Sequence, residues 1–273
     1  MIQEFLTYAE KVKNLDSKTI EAYATNLQRF VAYATTKSLR WSTLTKQDLD
    51  AYIMTMHDDN YKPATIRQHI ATIRQLLTWA TMESILPTNP ARYLQSPRME
   101  QTEPRPADRE ALTYYLSTPA KTHDARIAHG LIALLMFTGI RIQEAIDART
   151  EDVDIEKKRI LIHGKGRKER YVYFNNEVIK HLAPIANMRI GYLIPLCEQR
   201  TLREIMAKEL KGITKTHPHA IRHSFASAMA VKGCDLATIG NTLGHKHLST
   251  TQRYVHTTEE MKAAAYQLAF NFN

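Results

Sequence analysis

A tyrosine stands near the C-terminal end of the chain in the stretch "LGHKHLSTTQRYVH", with His245 nine residues before Tyr254 and with His247, Arg253 and His256 close by. A phenol has a reference pKa near about 10 and is a poor nucleophile unaided. It becomes useful when a base takes its proton and cations stabilise the oxyanion chemistry. Three other stretches hold side chains of suitable type: Arg141 and Glu144 in "TGIRIQEA", Lys165 in "HGKGRKER", and His217, His219, Arg222 and His223 in "THPHAIRHSFA".

Each stretch also has a plainer reading. Arg141 and Glu144 are spaced i, i+3, which suits a structural ion pair as well as a ligand site. An arginine beside the apolar run "GLIALLMF" needs a partner or a ligand. "HGKGRKER" lacks the G-x-x-x-x-G-K-[ST] spacing of a P-loop. Lys165 between two glycines then belongs either to a solvated basic turn or to a mobile tip that enters a partner's groove. His219 and His223 share a helix face, which invites a zinc reading. No Glu sits between them, however, and Arg222 would repel a cation. No metal is expected.

Positioning these groups requires a scaffold, and the pattern supplies two segments. The first is helical throughout. Ser17 is placed to cap a helix bearing Ile20, Tyr23, Leu27, Phe30 and Val31 on one face. Thr45 caps the next, with Asp48 spaced for a capping box. Pro63 opens a third, with Ile66, Ile70, Ile73, Leu77 and Ala80 at helical spacing. A bundle of about four helices is expected over residues 1–96. Prolines then interrupt the pattern, and residues 97–108 read as a linker. The remainder, 109–273, is mixed. "DREALTYYLST" and "ARIAHGLIALLMFTG" are helical, with Gly139 ending the second and Arg141 opening another. "RILIH" and "RYVYF" flank the Gly-Lys-Gly turn as a hairpin with a basic tip. Helices return from about Asn176. Thr258 is placed to cap a last helix whose apolar stripe runs through Met261, Ala264, Ala265, Leu268 and Ala269.

The net charge of +9 makes nucleic acid or an anionic membrane surface a candidate partner. Most of the excess lies beyond Pro97, much of it between Lys157 and Arg170. Lys157, Lys158, Arg167, Lys168 and Arg170, with Arg67 and Arg74 in the first segment, are the candidate DNA contacts. Two cysteines are too few for a disulfide framework, the N-terminus lacks the apolar core of a signal peptide, and no apolar run is long enough to span a bilayer. A cytoplasmic protein with no membrane partner is expected.

Taken together and in order, these stretches resemble the tyrosine recombinases (integrases), in particular the small Xer-type members. The family pattern of Arg, Lys, His-x-x-Arg, His or Trp, and Tyr falls on Arg141, Lys165, His219, Arg222, His245 and Tyr254. The resemblance implies a mainly α fold with a small antiparallel sheet. A helical core-binding domain and a catalytic domain would clamp duplex DNA. Tyr254 would attack a DNA phosphate to give a 3′-phosphotyrosyl link. Arg141, Arg222 and His245 would bind the phosphate oxygens, His219 would take the tyrosine proton, Lys165 would protonate the leaving 5′-hydroxyl, and Glu144 would orient Arg141 from behind. Neither a cofactor nor ATP is implied.

The implied partners are duplex DNA with paired recombination sites and, on synapsed DNA, three further copies of the chain. Off DNA a monomer or weak dimer is expected, and the last helix would dock on a neighbour. A partner recombinase or activator stays open, as does the choice among integration, excision, inversion and chromosome-dimer resolution. The stretch between Lys165 and His219 is shorter than the family's usual one, and no arm-binding domain precedes the first segment. Rival readings are a type IB topoisomerase, a metal-dependent nuclease, and a non-catalytic DNA-binding regulator with a helix-turn-helix in "DLATIGNTLGHKHLSTTQRY".

Overall fold

The computed structural model describes residues 1–98, 106–164, 168–186, 188–196, 198–214 and 216–244. Lys165, Arg167, His245, Tyr254, the last helix and most of the expected linker lie outside the described residues. The chain divides into two compact units, Met1–Gln101 and Thr102–Asn273.

The described residues of the first unit form four α-helices, α1 (Ile2–Lys11), α2 (Ser17–Thr36), α3 (Lys46–Asp58) and α4 (Pro63–Met82), with one 3-10 turn at Trp41–Thr43. The residue that caps α2 is Asp16 and not Ser17. The Asp16 carboxylate accepts from the Thr19 backbone N–H at 2.9 Å, and an ionised acceptor at a helix N-terminus outcompetes a hydroxyl one residue on. Thr45 and Asp48 form the expected capping box at the start of α3. Apolar residues at helical spacing, among them Leu27, Phe30, Leu49, Ile66, Ile70, Ile73 and Leu77, fill the core. Inside it Tyr52 Oη and His69 Nδ1 satisfy each other at 2.9 Å.

The second unit is organised around α6 (His123–Thr138), which is buried on nearly every face. Around it pack α5 (Arg109–Ser117), α7 (Ile142–Asp147), α8 (Asn176–Leu182), α9 (Gln199–Glu209) and α10 (Pro218–Val231). A further helix, α11 (Leu236–Leu243), packs on α10. Ala107 and Asp108, expected in the linker, belong to this unit. Ala107 N–H donates to the Ala220 carbonyl at 3.1 Å, and Asp108 caps α5.

Between α7 and α8 runs an antiparallel sheet of β1 (Val153–Asp154), β2 (Arg159–Gly164) and β3 (Lys168–Tyr173), in that order. Ile160 pairs with Val172 and Ile162 with Arg170. Strand alternation sends Ile160, Ile162 and Val172 into the core and leaves Tyr171 and Tyr173 exposed. Arg170, two residues before Val172, shares the inward face. Residues 165–167, at the expected basic tip of the hairpin, lie outside the described residues. Lys157 and Lys158 sit at the β1–β2 turn, about 17 Å along β2 from Gly164.

Against α6 lies a buried aromatic stack. Tyr115 and His129 are 4.6 Å apart by ring centroid, and His129 and His181 are 5.2 Å apart, both edge to face. Burial, then the neighbouring His181 and Lys180, lower the His129 pKa to about 4. Burial also lowers that of His181. Both imidazoles are therefore neutral in the folded protein at neutral pH and must gain protons as it unfolds in acid. The stability this represents is complete above the ordinary histidine pKa and drains away as pH falls toward 4. From His129 alone, the free energy of unfolding should fall by roughly 2 kcal/mol between pH 7 and pH 5. Urea titrations at the two pH values check this, and His129→Phe should flatten the slope; a wild-type stability independent of pH over that range would contradict the burial argument.

Candidate active site

Gly139 ends α6 in the left-handed conformation, at φ +66°. Thr138 and Gly139 thus turn the chain sharply, and Arg141 opens α7 as expected. Three residues into the turn, Glu144 folds back to accept the Arg141 backbone N–H at 2.8 Å and the Arg141 guanidinium at 2.8 Å. This is the i, i+3 pair anticipated from spacing, but it is one part of a larger arrangement.

Glu144 is 8% exposed. Besides Arg141 it receives Arg170 from β3 in a forked pair, Nη1 to Oε1 at 3.0 Å and Nη2 to Oε2 at 2.8 Å. Arg222 from α10 stands at 3.8 Å. Burial pulls the Glu144 pKa up, but the hydrogen bonds and charge of Arg170, followed by those of Arg141, outweigh it and hold the carboxyl below its ordinary value. The group is ionised, and it is one anion among three guanidinium cations.

The same three arginines converge on the end of α11. Arg170 Nε donates to the Thr242 carbonyl at 2.8 Å, Arg222 Nη2 to Leu243 at 2.7 Å and Arg141 Nη2 to Gly244 at 3.2 Å. Arg222 Nη1 also donates to the Gly139 carbonyl at 2.9 Å. Helix C-termini leave carbonyls unpaired and carry partial negative charge, so cationic forks satisfy them well. Arg222 is 2% exposed, whereas Arg141 is 45% exposed. Of the two, Arg141 is open to a ligand and Arg222 is its buried neighbour.

His219 lies one turn before Arg222 on α10, at the surface, with its ring edge to face on His223 at 4.8 Å. Partial burial, then the charges of Arg222, His217 and Arg141, lower its pKa. Burial and the cations around it keep its imidazole neutral and make it a weaker base than a free histidine. His217 caps α10 through Nδ1, which accepts from Ala220 N–H at 3.2 Å. Among the described residues no three His, Cys, Asp or Glu side chains are grouped to hold a metal ion.

The structure thus brings Arg141, Glu144, His219 and Arg222 together. Two expected DNA contacts fall elsewhere. Arg170 is 14% exposed and engaged internally, because the pleat of β3 turns it inward beside Val172. Arg74 is half-buried, with its guanidinium on the Leu94 carbonyl at 2.7 Å. Arg67, Lys157, Lys158 and Lys168 are exposed. The structural part of Arg170 was discernible in the alternation Arg170, Val172, Phe174, which places it on the core face.

Comparison with known proteins settles the lineage. Residues 105–261 match the model of the phage integrase family, and residues 2–84 match its N-terminal SAM-like domain. The chain is a tyrosine recombinase of the phage integrase family. The recombinase is 30% identical to the tyrosine recombinase XerC of Staphylococcus carnosus, over 97% of this chain and 95% of that one. It is 27% identical to XerC of Staphylococcus haemolyticus, over 96% and 94%. Among solved structures, its fold matches the Tn1549 transposon integrase bound to transposon right end DNA at a TM-score of 0.76, with 18% identity over 98% and 99% of the two chains. It matches the XerH site-specific recombinase bound to palindromic difH at 0.75, with 19% identity over 98% and 85%. The recombinase is therefore an enzyme of the class that cuts and rejoins DNA at specific sites. The first helix of the helix-turn-helix reading is α11, which ends against three arginines, and the stretch that would form its second helix lies outside the described residues.

Gly139 is a point on which this geometry can be tested. A Cβ there would meet the Phe225 ring at 2.3 Å and would have to adopt the left-handed backbone. Gly139→Ala should cost roughly 1–3 kcal/mol of stability and, by shifting the carbonyl that Arg222 binds, slow DNA cleavage. Unfolding midpoints and cleavage rates check this; an unchanged midpoint would show that α6 can end without the turn.

Proposed function

We propose that this recombinase cuts DNA by attack of Tyr254 on a backbone phosphate, with Arg141, Lys165, His219, Arg222 and His245 as its catalytic residues. The observation that carries the reading is the charge balance of the site. Among the described residues three guanidiniums share one carboxylate, so two positive charges remain, beside an imidazole kept neutral. A phosphodiester is a fitting occupant. The exposed planar fork of Arg141 suits its non-bridging oxygens, where negative charge builds as the phosphorus becomes five-coordinate, and buried Arg222 adds its positive charge.

In the proposed reaction His219 accepts the phenolic proton as the Tyr254 oxygen bonds to phosphorus. The bond from phosphorus to the 5′-oxygen breaks, and Lys165 gives that oxygen a proton. The products are a 3′-phosphotyrosyl ester and a free 5′-hydroxyl. Because the ester keeps the phosphate activated, a second 5′-hydroxyl can reverse the step without ATP or metal. His245, which directly follows Gly244 in the chain, adds a donor to the phosphate. Glu144 holds Arg141 in place. Exposed Lys157, Lys158, Lys168 and Arg67, with Arg167, are proposed to contact the backbone on either side.

Two sites and four copies of the chain would form the working synapse, as the family's chemistry requires paired exchanges, with the last helix docking on a neighbour. Such an enzyme would work on DNA in the cytoplasm. No described helix is long and apolar enough to cross a membrane.

Tyr254→Phe should bind DNA with near wild-type affinity and form no covalent adduct on a nicked suicide substrate. A full-yield adduct would pass the nucleophile's role to another residue. Lys165→Ala should fail on ordinary DNA yet cleave a substrate with sulfur at the 5′-bridging position, whose leaving group needs no proton, while Tyr254→Phe stays inert on both. Equal failure of Lys165→Ala on both substrates would reduce Lys165 to a backbone contact.

A further inference from the structure

We infer that Arg170 is a positioning residue for strand cleavage, fastening the strand that leads out of the Lys165 turn both to Glu144 and to the end of α11 that leads into His245. The inference rests on the catalytic assignment proposed above and extends it to a residue that does not touch DNA. Three of the guanidinium's N–H groups are committed within the protein, two to the Glu144 carboxylate and one to the Thr242 carbonyl. The fit is close. A Cβ on Gly244 would lie 3.0 Å from Arg170 Nη1, so the glycine that caps α11 also leaves room for the fork.

Connectivity gives this anchoring its consequence. Lys168, the first residue of β3, pairs with Gly164, and Lys165 lies between the two in the chain. Arg170 is two residues beyond Lys168. Gly244, at the other end of the contact, directly precedes His245. One side chain therefore ties the base of the turn carrying the proposed acid to the base of the segment carrying a proposed phosphate donor.

Arg170 also governs Glu144. The charged groups set against that carboxylate, among the described residues, are Arg141 ahead of α7, Arg170 on β3 and Arg222 on α10. Arg141 is the most exposed of them and the one free to turn to a phosphate. When it does, the forked pair with Arg170 still satisfies both Glu144 oxygens. Without Arg170, Glu144 would hold Arg141 more tightly or take up a proton. A lysine at position 170 would return the charge but not the fork.

The test measures single-turnover cleavage of a nicked suicide substrate by the full-length protein, over a range of DNA concentrations and pH. Arg170→Gln should cleave about a hundredfold more slowly at saturating DNA, with the half-saturating concentration little changed. Its rate should also fall toward acidic pH, because the burial that raises the Glu144 pKa is no longer opposed from β3. Arg170→Lys should abolish that acidic fall and recover part of the rate. Thermal unfolding of both variants reports the fold. Should Arg170→Gln not fold, Arg170→Lys carries the test, and a wild-type rate from the folded lysine variant would overturn the inference. A variant that binds DNA more weakly but cleaves normally at saturation would overturn it too, making Arg170 a DNA contact. The underlying assignment fails separately: an adduct from Tyr254→Phe would refute it whatever Arg170 does, whereas normal cleavage by the Arg170 variants with Tyr254→Phe inert would refute this inference alone.

Discussion

The site is built on one buried carboxylate. Glu144 out of water would be costly alone, and three guanidiniums packed together would be costlier still. Each makes the other tolerable, and each cation comes from a different part of the chain: Arg141 from the turn after α6, Arg170 from β3, Arg222 from α10. Glu144 can be satisfied in this way only when turn, strand and helix have all reached their places. The ion cluster is therefore a check on the assembly of the second unit as well as a part of its chemistry.

The neutral half of the cluster comes from helix ends. Left-handed glycines terminate both α6 and α11, at Gly139 and Gly244, and both helices end in carbonyls turned toward the arginines. Arg222 bridges the two ends, with one nitrogen on each. Among the described residues, this use of backbone acceptors lets the site hold three cations with a single acid. A second carboxylate would hold the cations equally well but would erase most of the positive charge available to a phosphate. The carbonyls orient the guanidiniums and leave the net charge in place.

Much of this was legible in the sequence, because it depends on local rules. The capping box at Thr45, the proline opening α4, the glycine ending α6 and the alternation within the hairpin are set by residues a few positions apart. Arg141 and Glu144 were likewise within reach, being one helical turn apart. The misreadings share a cause, which is that charge was read as surface. Arg170 and Arg74 carry the charge of DNA contacts but spend it on Glu144 and on backbone carbonyls. The partners that capture them lie 26 and 72 residues away for Arg170 and 20 for Arg74, and only tertiary structure brings them near. Asp16 in place of Ser17 is a smaller case, decided by which of two adjacent oxygens reaches Thr19.

Charge also connects the proposed phosphate-binding side of the site to its base. Arg222 and Arg141 help to lower the His219 pKa, so in the free protein the imidazole is neutral but only weakly basic. Under the proposed assignment, a phosphodiester seated against those arginines would offset part of their charge as felt by His219. Its basicity would then rise when substrate is present and remain low otherwise. As the phosphorus becomes five-coordinate, the added negative charge works in the same direction and favours an imidazolium at the moment the tyrosine proton must move. Within the described site Arg141 is the donor that has to turn, because Arg170 and Arg222 are already held by Glu144 and the two helix ends. That preorganisation is worth more than the donors alone, since a flexible set would have to be oriented at the transition state.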